Sequence, residues 1–396
     1  MSITSALSNA LSGLTASARS ADVVSANLSN VLTEGYGRRD VVLSPQTETG
    51  GVRFVGVSRN VDTRILSDRR MADAGSSHAQ LRSGFLAALE TQIGLPDAPH
   101  SLSGRVAALE ASLVTAASAP QEEARLAAAV DAAGQVARSF RAASERIEIL
   151  RTEADTSIAS AVEVVNSALR QIARLNAAIV ATDVSGRSTA ALEDHRQVAI
   201  DRISAIIPFR EVPRDHGAVA LYTAAGAALV DGRAALLEFT PSNIAAPHMT
   251  RENGLLSGLR INGIEVDTSA ENGLISGGGM AALFEIRDDL AVSAQARLDS
   301  LARNLVSRFQ DGAIDTTRLP GDAGLLTDAG AAFDPADEVG LAGRITVNAA
   351  VDNTQGGAAW RLRDGLNASA PGPAGNGALL QDLQAALGSA MGLDSG

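Results

Sequence analysis

Cysteine is absent from all 396 residues, which excludes disulfides, zinc–thiolate sites and thiol nucleophiles. Lysine is absent too, so each of the 33 basic side chains is an arginine. A P-loop lysine, a Schiff-base lysine and a kinase strand lysine are therefore unavailable. Aromatic residues make up only 3% of the chain, too few for base-stacking surfaces, sugar platforms or a large cofactor pocket. Positive charge is in deficit, with a net charge of −12, whereas nucleic acid needs a basic face to displace its counterions. No apolar run approaches about 18 residues, so membrane insertion is not expected. The first residues lack a charged n-region and an apolar h-region, so no cleaved secretory signal is expected.

What is present is a large share of small aliphatic residues. Hydrophobic content is 45%, mostly Ala, Leu and Val, which suits long, closely packed helices more than a bulky enzyme core. The length suffices for about two or three domains. The sharpest pattern lies at the start. Apolar residues recur at Leu7, Leu11, Leu14, Ala18, Ala21, Leu28 and Leu32, alternating four-three spacing of the coiled-coil kind. Gly35 marks the end of that helix.

After it, residues 35–60 are rich in glycine, with short β-like runs at Asp40–Leu43 and Val52–Val55. They read as an extended connector with room for a small hairpin. A second helix is expected over 61–94, with Met71, Ala74, His78, Leu81, Phe85, Ala88 and Gln92 on one seam. A third spans 101–117. Pro120 opens the longest element, with Glu122 and Glu123 in its first turn, where the helix dipole favours acids. Its seam runs Leu126, Val130, Ala133, Ala137, Phe140, Ser144, Ile147, Arg151, Ala154, Ile158, Ala161, Val165, Ala168, Ile172, Leu175 and Ile179. At 1.5 Å per residue such a helix is about 90 Å long. Another helix is expected over 189–206. The period then changes to two, and short strands with turn signals between them indicate a small antiparallel β region over 207–270. Gly277-Gly278-Gly279 precedes a helix over 280–311. Residues 312–376 hold one clear strand, Arg344–Val347, and 377–388 read as a short helix.

Two elements near the start carry a resemblance. Gly13-Leu14-Thr15-Ala16 matches a GL-x-A element, and Asn27-Leu28-Ser29-Asn30-Val31-Leu32-Thr33-Glu34-Gly35-Tyr36-Gly37-Arg38 matches an N-x-S-N-x-x-T-x-G-Y-x-R element. Both resemble the N-terminus of the flagellar axial family of rod, hook and hook-associated proteins. Rod and hook members are β-rich after this motif, so the long helical rod points to the hook-associated members. Three further stretches are similar to hook-associated segments: Leu192-Glu193-Asp194-His195-Arg196 through Asp201, Asp215-His216-Gly217 through Thr223, and Gly277 through Asp288.

The resemblance implies a mainly α fold with a small inserted antiparallel β domain. It would be an elongated, flagellin-like long-helix bundle with an N-terminal coiled-coil-forming helix. The implied division is an assembly helix (1–34), a connector (35–60), the bundle (61–206 and 280–311), the β domain (207–279) and a loop-rich C-terminal segment (312–396). It further implies a non-enzymatic structural subunit at the junction of hook and filament, without cofactor or metal. Such a subunit is extracellular, in the flagellum, and leaves through the type III export apparatus. Its partners would be copies of itself in a ring, the hook protein, the filament-side hook-associated protein, and an export chaperone with the export apparatus. Leu7, Leu11, Gly13, Leu14, Asn27, Leu28, Asn30, Gly35, Tyr36 and Arg38 would form its assembly interface; for Tyr36 and Arg38, helix termination is an equal alternative. A filament-side junction protein or a hook or rod subunit is the nearest rival, and a helical signalling coiled coil is the rival from another class. Family members end in a second amphipathic helix that pairs with the first. None is expected after Leu387, which reads as a chain cut short.

The residues that could carry chemistry are sparse. His78, His100, His195, His216 and His248 show no ligand-like spacing, and His195 reads as a helix-surface residue despite Glu193 and Asp194 beside it. Arg287-Asp288-Asp289 reads as a solvated face or an inter-helix ion pair, since adjacent helical residues point apart. The triple glycine could cradle phosphate, but without lysine or a Walker spacing a plain re-entry loop is expected. Asp315, Asp322, Asp328 and Asp334 do not follow an EF-hand spacing.

Overall fold

The computed structural model describes residues 3–46, 50–96, 98–269 and 273–389. The first helix, α1, is Ile3–Ser29. It stops short of Gly35 because Asn30 turns its amide back on the Ala26 carbonyl at 2.9 Å and a hydrogen-bonded turn runs from Asn30 to Thr33. Gly35 then takes a positive φ of 74°, a conformation open to glycine without strain.

The connector is a fully paired hairpin. Strand β1 (Arg38–Pro45) lies antiparallel to β2 (Val52–Asn60), with Arg38 opposite Asn60 and a bulge at Val42/Leu43. Helix α2 is Thr63–Ile93, and the Asp62 carboxylate caps it through the amides of Arg64 and Ile65. Its inward side differs from the expected seam. Ala74 and Phe85 are buried, but Met71 is 62% exposed and Arg70 turns inward instead. The reason is electrostatic: Arg70 bridges Asp201 at 2.6 Å and Glu211 at 2.7 Å. Helix α3 (Leu102–Ser118) begins at Ser101, whose hydroxyl accepts from Gly104 N.

Helix α4 is unbroken over 62 residues, Glu123–Val184. Of the sixteen expected seam positions, only Ala161 and Leu175 are not fully buried. Helix α5 is Ala190–Ser204. The β region forms two small sheets. One has the order β3-β4-β5-β6 (Phe209–Pro213, Val219–Thr223, Ala228–Asp231, Arg233–Ala234); the other is β7-β8-β9 (Leu237–Glu238, Arg260–Ile261, Ile264–Glu265).

Helix α6 (Gly279–Glu285) continues through a π turn at Ile286–Leu290 into α7 (Ala291–Gln310). Beyond it, β10 (Leu326–Asp328) pairs antiparallel with β11 (Ile345–Val347), and three short helices accompany them: α8 (Leu341–Arg344), α9 (Arg361–Asp364) and α10 (Ala378–Gly388). The partner strand β10 has no clear signal in the sequence, being three residues between glycines and aspartates. The expected absence of a helix after Leu387 falls beyond Ser389, outside the described residues.

By contact the chain forms two compact units: 1–81 with 157–241 and 257–284, and 82–156 with 242–256 and 285–396. The interior of the first is built on Ile158, Leu169, Ile172 and Ile179 of α4 with Ile200 and Ile203 of α5. That of the second is built on Leu109 and Leu113 of α3, Leu126 and Phe140 of α4, and Phe309 of α7. Each such aliphatic or aromatic side chain contributes about 1.5–3 kcal/mol by leaving water.

Candidate functional site

The motif at the end of α1 folds into a latch. Asn27, on the last turn of α1, donates Nδ2–H to the Arg39 carbonyl at 2.8 Å. Its Oδ1 accepts from Arg39 N and from the Tyr36 hydroxyl, both at 2.9 Å. A single asparagine thus satisfies both sides of the turn that leads into β1. The Arg39 guanidinium lies over the Tyr36 ring, 4.8 Å from its centroid, a cation–π distance.

Asp194 on α5 completes the latch. Its carboxylate accepts from Gly37 N at 2.9 Å, Arg39 Nη2 at 3.0 Å and Arg59 Nε at 2.7 Å. Arg59 also reaches Gln197 and the Gly35 carbonyl. Both glycines are required here by space, and Gly35 by conformation as well. A Cβ on Gly35 would run into the Val198 side chain, and one on Gly37 into Arg59.

Two more side chains of α5 extend the same arrangement. Arg196 donates to Asn176 Oδ1 on α4 at 3.0 Å and to the Gly217 carbonyl at 2.6 Å. Asn176 in turn holds both the N–H and the C=O of Val219 at the start of β4. Burial lowers the pKa of Arg196 from the usual arginine value, and these acceptors compensate its charge. Asp201 takes Arg70 and Arg69 of α2, both at 2.6 Å. Three stretches that are separate motifs in the sequence, 27–38, 192–201 and 215–223, therefore meet around α5.

The expected interface residues divide into two groups. Leu7, Leu11, Leu14 and Leu28 stand 64–75% exposed along α1, where Ala16 alone is buried among the described residues. A Cβ at Gly13 would touch nothing. Arg38 is exposed and pairs only with its neighbour Asp40, at 3.0 Å. In contrast, Asn27, Gly35 and Tyr36 point into the latch, and Asn30 bonds within its own turn. Arg39, Arg59 and Asn176 escape sequence reasoning, because their partners lie in distant segments. Asp194 and Arg196 do carry a signal, as the acid and the base of the Leu192–Asp201 stretch that is similar to a hook-associated segment.

The remaining chemical candidates resolve into structure. His195 is exposed. The triple-glycine loop gives its Gly279 and Met280 amides to the carbonyls of Ala205 and Ile206 at 2.9 and 3.0 Å, so they do not face a ligand. Arg287 is fully buried and forms an inter-helix ion pair with Asp155 of α4 at 2.7 Å. It also bonds the adjacent Asp288 at 2.7 Å, contrary to the expectation that helical neighbours diverge. The π turn widens the helix there, and the long arginine folds back. Burial opposes its charge, but Asp288 and Asp155 outweigh that and raise its pKa. Asp289 is pushed up by burial and by Asp288 and Glu285. Among the described residues no group of three metal-ligating side chains converges, and no helix is long and apolar enough to cross a membrane.

Comparison with known proteins gives a consistent set. A family described as "Flagellar hook-associated protein FlgK helical domain" matches residues 88–325. Flagellar hook-associated protein 1 of Salmonella typhimurium is 28% identical over 243 residues, covering 59% of this chain and 44% of the relative. The Escherichia coli protein of the same name is 23% identical over 332 residues, 81% of this chain and 59% of the relative. The flagellar hook junction protein FlgK from Burkholderia pseudomallei superposes with a TM-score of 0.52 at 22% identity, over 66% of this chain and 46% of that one. That likeness speaks for the fold. The chain spans about half the length of the curated relatives it matches.

Proposed function

Because the chain belongs to the family of the flagellar hook-associated protein FlgK helical domain, we propose that it is a structural, non-enzymatic subunit of the bacterial flagellum at the junction of hook and filament. Its copies form a ring between the hook protein and a filament-side hook-associated protein. They reach that place outside the cell through the flagellar export apparatus, with an export chaperone. In this reading α1 is the assembly helix, the long helices form the wall, and the β region is an insertion in it.

The observation that carries the proposal is the exposed leucine row of α1. Leu7, Leu11, Leu14 and Leu28 lie in four-three spacing on a helix that buries little within its own chain. Burying each would release about 1.5–3 kcal/mol, and knobs-into-holes packing with neighbouring helices is the geometry that spacing suits. Gly13 allows close approach beside Leu14.

The test is deletion of residues 3–29. Incorporation into flagella should be lost while the remaining chain melts cooperatively. A deletion protein that still joins hook to filament would refute the assembly role of α1.

A further inference from the structure

The geometry points to Asp194 as the positioning residue of the assembly helix: from α5 its carboxylate fixes where the α1–hairpin junction sits on the α4–α5 core. This inference rests on the reading of α1 as an assembly element and adds what holds that element in place.

An apolar anchor is lacking. No residue of β1 or β2 is buried, and α1 buries Ala16 alone among its described residues. The hairpin and α1 are therefore not fixed by an apolar core. The hydrogen bonds that join them to α5 go to Asp194 and Gln197, three of them to the Asp194 carboxylate. Asp194, only 13% exposed, accepts from the segment entering β1 (Gly37 N), from β1 (Arg39) and from β2 (Arg59). Losing that carboxylate removes the α5 partner of Gly37 and Arg39 and leaves β2 with the Arg59–Gln197 bond.

The polar contacts are also continuous. Asp194 holds Arg39, Arg39 stacks on Tyr36, and the Tyr36 hydroxyl donates to Asn27 of α1. The path runs from the core to the assembly helix without a gap. Charge-assisted hydrogen bonds are directional and stronger than neutral ones, so they set a position that a small apolar contact would leave loose. A leucine row held in one place loses less freedom on association than one on a free tether.

The absence of cysteine permits a direct test in the full chain. Ser17→Cys on α1 and Arg202→Cys on α5, both exposed positions, would carry spin labels for pulsed dipolar spectroscopy. The parent should give one narrow distance distribution, and Asp194→Ala a broad one. Asp194→Asn, which keeps the shape but loses the charge, should fall between. Hydrogen exchange at 38–45 and 52–60 should rise at least about tenfold in Asp194→Ala while α4 amides at 158–172 keep their protection. Arg38→Ala, which removes only an exposed pair, should leave both readouts unchanged. A narrow distribution in Asp194→Ala would overturn the inference, and so would equal loosening of α4. In cells, Asp194→Ala should lower incorporation. Wild-type incorporation with a loosened hairpin would end the positioning role while leaving α1 as the assembly helix. Incorporation by the 3–29 deletion would instead end the assembly reading itself.

Discussion

Asp155 sits at the centre of the polar interior of the second unit. One oxygen takes the fully buried Arg287 and the other accepts from Ser242 N at 2.7 Å. Removing one partner of a buried pair leaves an uncompensated charge, typically a loss of about 3–5 kcal/mol. Asp155→Ala should therefore lower the urea midpoint strongly, although Asp288 retains part of the Arg287 charge. Glu148 shows the opposite case. It lies half-buried beside a cavity of about 330 Å³ lined by Ile147, Ala291 and Val292. Burial, then the nearby Glu145, raises its pKa above the ordinary glutamate value. A raised folded-state pKa means that the native state binds the proton more tightly than the unfolded state. The ionised form is thus penalised in the fold at neutral pH, and the penalty fades as pH falls through the raised pKa to the unfolded value. Glu148→Gln should melt higher than the parent at pH 7, and the difference should close on acidification. A constant difference across that range would refute this account.

At the scale of elements, glycines give a paired test. A Cβ on Gly278 would run into the Ile206 carbonyl and the Pro208 ring, whereas one on Gly75, within α2, would meet nothing. Gly278→Ala should cost about 1–3 kcal/mol as overpacking does. Gly75→Ala should gain up to about 1 kcal/mol from helix propensity. Chemical denaturation of both variants reads the contrast directly. A similar contrast separates what is legible in the sequence from what is not. The seam of α4 can be read because sixteen positions repeat one local period. Met71 and Arg70 exchange places because the inward turn of Arg70 depends on Asp201 and Glu211, more than 130 residues away. The connector's strand runs are visible, but not their full pairing, since Arg38–Pro45 mixes charge with valine and no residue of it is buried. The latch is half visible: Asn27, Gly35 and Tyr36 stand out as a motif, and Asp194 stands out in another. Only the fold joins them.

At the scale of the molecule, helix accounts for 56% of the described residues, and α1 supplies 27 residues of it while contributing one buried side chain. The 3–29 deletion should accordingly lower the far-ultraviolet helix signal by no more than those residues carry, with the thermal midpoint of the rest little changed. A collapse of the remaining helix signal would mean that α1 supports the core.

The polar residues along α4 have a mechanical consequence. Ser144 bonds Gln295, Arg151 bonds the carbonyls of Arg287, Ala246 and Met249, Asn166 clasps both main-chain groups of Leu237, and Asn176 clasps those of Val219. A row of alanines looks much the same after a slip of one helical turn, about 5.4 Å. These four do not: a slip would strand every one of their partners together. They act as keys on a shaft, so the helix resists axial shear in steps instead of creeping.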